Sequence, residues 1–166
     1  MTATGTGPDT VITLDAPPFP SLEWFAELAR QMDQQHDEFN RMGTIDCSMA
    51  VCLLDGGPDH TPWCARIDFE ELTVRQIRLI SVEDLGSVDF VVETDLATWN
   101  DMVANITANG GRPDLHHTLN GLSLPGTPIR VWSSDPLGRD MFFRYNQTLQ
   151  RFIDNCASIP PAAGGG

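Results

Sequence analysis

Val88-Asp89-Phe90-Val91-Val92-Glu93-Thr94-Asp95 is the stretch whose reading decides the fold. Val88, Phe90 and Val92 share one face of an extended chain, because successive side chains of a strand point to opposite sides. Asp95 is a helix N-cap by type. Behind it Leu96, Trp99, Met102, Val103 and Ile106 recur at helical spacing until Asn109-Gly110-Gly111 stops them. A strand over Ser87 to Thr94 therefore passes directly into an amphipathic helix. Downstream, Pro113 to Leu119 predicts a short helix carrying His116-His117. Gly121 to Leu124 and Ile129 to Trp132 read as short extended pieces interrupted by Pro125-Gly126. Asp135-Pro136 is a cap followed by proline at the first helical position. It opens one closing helix with Met141, Phe142, Tyr145, Leu149, Phe152 and Ile153 as its apolar stripe.

Upstream, Ser21 caps a first helix with Phe25, Leu28, Ala29, Met32, His36 and Phe39 on its stripe, ended by Gly43. His36 then reads as a core histidine with its hydrogen bonds satisfied. Ile45, Cys47, Met49, Val51 and Leu53 alternate as one face of a strand. Asp55-Gly56-Gly57-Pro58 is a turn. Trp63, Ala65, Ile67 and Phe69 alternate against Cys64, Arg66, Asp68 and Glu70 as a second strand, with Asp46, Asp68 and Glu70 on solvent sides. Leu72 to Ile80 is a third. The strands follow one another as in a meander. The order predicts an α+β fold, a mostly antiparallel five-stranded sheet with helices packed on one face. Residues 21–157 form one domain. Met1 to Pro20 reads as a flexible arm, with Thr10 to Leu14 able to pair as an edge strand, and 158–166 as a disordered tail.

Composition narrows the function. At 166 residues the chain can bury roughly 70% of its unfolded surface, so it needs no metal or disulfide staple. Acidic residues outnumber basic ones 23 to 10, and the net charge is −13. Such a chain repels phosphate backbones and anionic headgroups, so neither a nucleic-acid partner nor stable membrane residence is expected. Every basic residue is arginine. Schiff-base and Walker-type chemistry, which need a lysine amine, are excluded. No charged-then-apolar leader and no apolar run of membrane length is visible, which makes the cytoplasm and free thiols the expectation.

The order of elements resembles the sterol carrier protein type 2 family. Val88 to Asp95, followed by Trp99, is similar to that family's step from strand to helix. Leu119-Asn120-Gly121-Leu122-Ser123-Leu124-Pro125-Gly126 is similar to its Gly-flanked strand, and Met141 to Phe152 to its closing helix. The likeness spans Ile45 to Ile153. The chain departs at Pro125 and in the added segment Thr127 to Asp135. The resemblance implies an apolar tunnel between the inner face of the sheet and the last two helices. On those faces stand Phe90, Trp99, Met102, Ile106, Leu122, Met141, Phe142, Tyr145, Leu149 and Phe152. Methionine and aromatic rings suit such a space, being adaptable or broad with few rotatable bonds. Apolar residues at helical spacing suit a plain core equally. The implied function is non-catalytic binding or transfer of a lipid, sterol-like, acyl or polycyclic molecule, oriented by Tyr145 or a histidine, with no cofactor.

Other chemistry is sparser. Cys47 and Cys52 lie five apart on one strand and point to opposite faces, so they cannot share a metal ion. Cys52 and Cys64 can meet across strands on the outer face. Zinc would need two further ligands, with His60 alone nearby. No metal is expected. His116 or His117, paired with Glu93, Asp95 or Asp114, is the one catalytic lead, as a general base on an apolar substrate. That makes a small enzyme of lipid or specialised metabolism the second reading, with His116, His117 and Glu93 as its residues. An accessory subunit docked on a partner enzyme is the third. A homodimer is compatible with all three.

Overall fold

The computed structural model describes residues 16–159. Ser21 Oγ accepts the Trp24 N–H at 3.1 Å and starts α1 (Leu22–Gln34). Gln35 leaves helical geometry at φ −112°, ψ 36°, and α2 (His36–Met42) continues in a new phase to Gly43. The break corrects the single first helix. Phe39 stays buried, but His36 is turned out to solvent and is not a core histidine.

Three consecutive strands pair antiparallel: β1 (Cys47–Leu53), β2 (Trp63–Glu70) and β3 (Thr73–Leu79). β4 (Phe90–Thr94) then lies parallel to β1, Met49 beside Phe90 and Leu53 beside Thr94. β5 (Arg130–Trp132) closes the other edge antiparallel to β4. The order is β3-β2-β1-β4-β5. The sheet is therefore mixed, not mostly antiparallel. Parallel neighbours need a crossover. Residues 80–89 supply it, passing over the outer face through a 3-10 turn at Val82–Ser87. There Leu85 and Val88 pack with Ala50, Cys52, Cys64 and Val91 as a second apolar cluster. Val88 consequently faces away from Phe90 and Val92, with which it was expected to align. β1, covered on both faces, is buried at all but Ser48, as a central strand of this kind should be.

The inner face carries the main core. Met49, Val51, Leu53, Ile67, Phe69, Phe90 and Val92 meet apolar residues of the helices on that side. α3 (Leu96–Ala108) is capped twice. Asp95 Oδ1 accepts Thr98 N at 2.8 Å, and Asp55 Oδ1, from the turn after β1, accepts Leu96 N at 2.7 Å. The region after α3 differs from expectation. Gly121 to Leu124 is not extended: Thr118 Oγ1 accepts Gly121 N and makes a helical turn, α4 (Leu119–Leu122). Gln150 Oε1 holds that turn by accepting Leu119 N at 2.7 Å. The strand beside β4 is instead Arg130–Trp132, inside the segment read as added.

The closing helix is also two helices. Tyr145, at φ −98°, ψ 12°, separates α5 (Pro136–Arg144) from α6 (Asn146–Asp154). Gly138 lets α5 sit directly on β4, since a Cβ there would collide with the Asp89 carbonyl oxygen and Ser133 Oγ. Arg151 of α6 grips Glu38 of α2 through two nitrogens, at 2.6 and 3.2 Å. Of the arm, Ala16 and Phe19 pack against the core. The proposed Thr10–Leu14 strand and the tail from Pro160 lie outside the described residues, but Ser158 and Ile159, read as the start of a disordered tail, are ordered: Ser158 ends a 3-10 turn (Asn155–Ser158) and Ile159 is buried in the core.

Candidate functional site

Strand pleat and helix phase bring all ten residues expected to line a tunnel into one apolar layer between sheet and helices. Phe90, Trp99, Met102, Ile106, Phe142, Leu149 and Phe152 are buried, and Leu122, Met141 and Tyr145 pack half-buried at its margin. Phe142 of α5 meets Phe90 of β4 edge-on at 5.8 Å, and Phe152 of α6 meets Phe69 of β2 edge-on at 5.1 Å. The two terminal helices are thus seated on the sheet by ring contacts, a favoured geometry for aromatic pairs. Five surface hollows lie elsewhere, and none of these five is lined by any of the ten.

Sequence reasoning did not assemble one part of this layer. Phe19, Trp24, Phe25, Trp63 and Trp99 form a five-ring group where α1, β2 and α3 converge. Phe25 and Trp63 were legible as inward residues of a helix and a strand. Their meeting with Phe19 depends on the path of the chain before α1, which no periodicity encodes. Trp99 Nε1 is buried without a hydrogen-bond partner among the described residues.

The catalytic lead divides. His117 Nδ1 lies 2.7 Å from Asp114 Oδ1, with side-chain exposures of 33% and 50%. The hydrogen bond to His117 holds the Asp114 carboxyl below its ordinary range, helped by the Asn105 amide. This pair stands on the surface, in the 3-10 turn Leu115–His117 and its cap. His116 is exposed, and only its backbone N–H reaches Asp114. Glu93 joins neither histidine. Val92 and Thr94 are its buried inner-face neighbours, so the pleat points Glu93 to the outer face. There it accepts from Trp132 Nε1 at 3.1 Å and lies 3.5 Å from Arg130. Asp95 is occupied by capping α3.

The thiols are all free and buried. Cys52 and Cys64 are cross-strand partners on the outer face, their sulfurs 3.1 Å apart. The hydrogen bond shared with Cys64, and burial, push Cys52 far up. Burial likewise raises Cys47 and pushes Cys156 up to about 12. Cys47, Cys52 and Cys156 therefore stay protonated and are poor nucleophiles. Among the described residues no three His, Cys, Asp or Glu side chains gather as a metal site. No helix there is long and apolar enough to cross a membrane.

No protein-family model and no curated protein sequence matches the chain. Two solved structures do match its fold. One is a conserved hypothetical protein from Thermus thermophilus, suggested to be a sterol carrier protein. It has a TM-score of 0.57 and 18% identity over 85% of this chain and 90% of its own. The other is sterol carrier protein 2, with a TM-score of 0.55 and 18% identity over 82% of this chain and 95% of its own. The mixed sheet with its helical layer on one face is the sterol carrier protein fold.

Proposed function

We propose that this protein binds an apolar small molecule, of lipid, acyl, sterol-like or polycyclic type, in the layer between the sheet and its helices, and carries it unchanged. The observation that carries the reading is the make-up of that layer within this fold. Three of its fully buried side chains are methionines, Met32, Met49 and Met102, set among Trp99, Phe90 and Phe142. Methionine re-packs at low cost. Among the described residues the buried polar side chains are Gln31, Thr94, Thr148 and Asn155, with no carboxylate, histidine or arginine among them, so the interior offers solvation to a hydrocarbon. The His117–Asp114 pair lies outside the layer and has no role in the proposal.

A ligand must displace protein contacts to enter. The joint at Tyr145 is the natural place. There α5 and α6 meet without a continuous helix, and Met141, Tyr145 and Leu122 form a half-buried rim. The driving force is ligand surface removed from water, about 25 cal/mol per Å² before ordering costs. Titration of the pure protein with a fluorescent fatty acid tests the reading. Saturable binding at micromolar concentration, weakened about tenfold or more by Met102→Trp, which fills the layer, is expected. Absence of saturable binding to this and to a sterol probe overturns it.

A further inference from the structure

The crossover between β3 and β4 covers two cysteines that take no part in the apolar layer. Cys52 of β1 and Cys64 of β2 stand directly opposite each other, both on the outer face. Their backbones do not bond to each other. Cys64 turns its carbonyl to the β3 side, where it accepts the Ile80 N–H at 3.0 Å, and the N–H and C=O of a residue in an antiparallel strand point the same way. The far end of the ladder agrees. Ile45 N–H donates to the Glu71 carbonyl at 2.8 Å, so bonded and non-bonded positions alternate from there and Cys52 falls on a non-bonded one. Opposite residues of that kind have Cα atoms about 4.5 Å apart and side chains in closest approach. A disulfide spans roughly 4.4–6.8 Å between Cα atoms. The two sulfurs lie 3.1 Å apart, so a bond can close by side-chain rotation alone.

The pair is chemically uneven. Once Cys64 ionises, the Cys52 S–H donates to its thiolate, and this holds Cys64 below the ordinary thiol range against burial and the nearby Glu93 carboxylate. Cys64 is therefore the nucleophile and Cys52 the resolving thiol. Cys47 and Cys156 lie in the inner cluster, with thiols raised by burial. Cys52 and Cys64 are 1% and 4% exposed, so an oxidant needs a way in. Their roof is thin. From Ser81 to Ser87 only Leu85 is buried, and Val88 follows it. A segment held by so few buried side chains opens locally at low cost.

We propose that Cys52 and Cys64 are an oxidation site, closed to a disulfide by a peroxide in the folded protein, with the crossover as the gate that admits the oxidant. The Cys64 thiolate attacks one peroxide oxygen, the O–O bond breaks, and the leaving hydroxide takes up the proton that Cys64 released, giving water. The Cys52 sulfur then attacks the Cys64 sulfenic acid. The S–S bond forms, the S–O bond breaks, and the departing hydroxyl leaves with the Cys52 proton as a second water. Two thiols are oxidised and one peroxide is reduced to two waters. The bond staples β1 to β2 on the face opposite the apolar layer, so the site stands or falls independently of the carrier reading.

The test treats the full, reduced chain with hydrogen peroxide under native conditions, alkylates the remaining thiols after unfolding, and maps the peptides by mass spectrometry. A disulfide joining Cys52 to Cys64 is expected, with Cys47 and Cys156 alkylated, and dithiothreitol is expected to reverse it. The oxidised chain is expected to melt about 5 °C or more above the reduced one, since the closed loop restricts the unfolded chain. In Cys52→Ser the reaction is expected to stop at a Cys64 sulfenic acid that dimedone traps. Leu85→Ala, which thins the roof, is expected to speed closure about tenfold or more. Ile106→Ala, a cavity on the other side of the sheet, is expected to speed it far less. Absence of the Cys52–Cys64 bond in the peroxide-treated parent, or its replacement by another pairing, overturns the proposal without need of any variant. Equal acceleration by Leu85→Ala and Ile106→Ala would place the reaction in the globally unfolded chain, and overturns it as well.

Discussion

Asp154 is the residue whose charge sits least comfortably in the fold. It ends α6 beside Arg151 and Asn155, and burial pushes its carboxyl up to about 6, against 3.8 for the free group. The amide of Gln150, donating to Oδ1 at 2.7 Å, offsets only part of this. An acid that binds its proton more tightly folded than unfolded makes stability fall as pH rises between those two values. Below about 4 both states are protonated and the term vanishes; above about 6 the penalty is constant. Asp154→Asn keeps the Gln150 hydrogen bond and removes the charge. Allowing for the part of this side chain that water still reaches, the variant should be more stable than the parent by about 1 kcal/mol at pH 7. At pH 3.5 the two should melt together. Thermal denaturation at both pH values checks this, and an equal difference at the two would show that charge is not the cause. Glu38 runs the other way. The Arg151 guanidinium holds its carboxyl down, so that ion pair adds stability above the ordinary carboxylate range and loses it as pH falls.

The crossover between β3 and β4 is the element that sets the topology, and it does so with almost no regular structure. Its anchor is Leu85, 4% exposed on the outer face against Ala50, Cys52 and Val91. Leu85→Ala should cost about 2–3 kcal/mol, the loss for a buried leucine that leaves a cavity. Chemical denaturation measures it; a change under about 0.5 kcal/mol, the level of an exposed site, would mean the outer face is not truly covered. This anchor also marks where sequence reading stopped. Strands with clean alternation were legible: Met49, Val51 and Leu53 face inward as their period demanded, and so do Ile67 and Phe69. The Asp95 cap was legible because it acts within four residues. The parallel pairing was not, because Val82–Ser87 reads like any polar loop and a meander is the shorter path. Val88 was misassigned for the same reason: it continues the alternation of Phe90 and Val92 but belongs to the crossover. The helix breaks at Gln35 and Tyr145 interrupt apolar stripes that were continuous enough to read as single helices. The ten residues read as facing inward all join the apolar layer. The five-ring group and the separation of Glu93 from the histidines depend on contacts between elements, which spacing along the chain cannot carry.

At the scale of the whole molecule, an apolar interior is enclosed by a shell of net charge −13. A carrier must meet its donor or acceptor surface, and on the proposed reading the shell would select that surface. Repulsion from anionic bilayers acts over a Debye length, ~30 Å at 0.01 M salt and ~3 Å at 1 M. All ten basic side chains are arginines, and half of them, Arg30, Arg66, Arg75, Arg130 and Arg151, each lie within salt-bridge distance of a carboxylate, which halves the positive charge available for a basic landing patch. If the carrier reading holds, transfer of a bound fluorescent lipid should be slower to vesicles rich in phosphatidylserine than to phosphatidylcholine vesicles, by about threefold or more at low salt. The two rates should converge as salt approaches 1 M, since screening removes the difference while the apolar layer and its ligand are unchanged. Stopped-flow energy transfer from bound lipid to a vesicle-borne quencher measures both rates. A rate indifferent to vesicle charge at low salt would mean that the ligand leaves through water before any encounter. The acidic shell would then keep the protein dispersed and take no part in choosing where cargo is delivered.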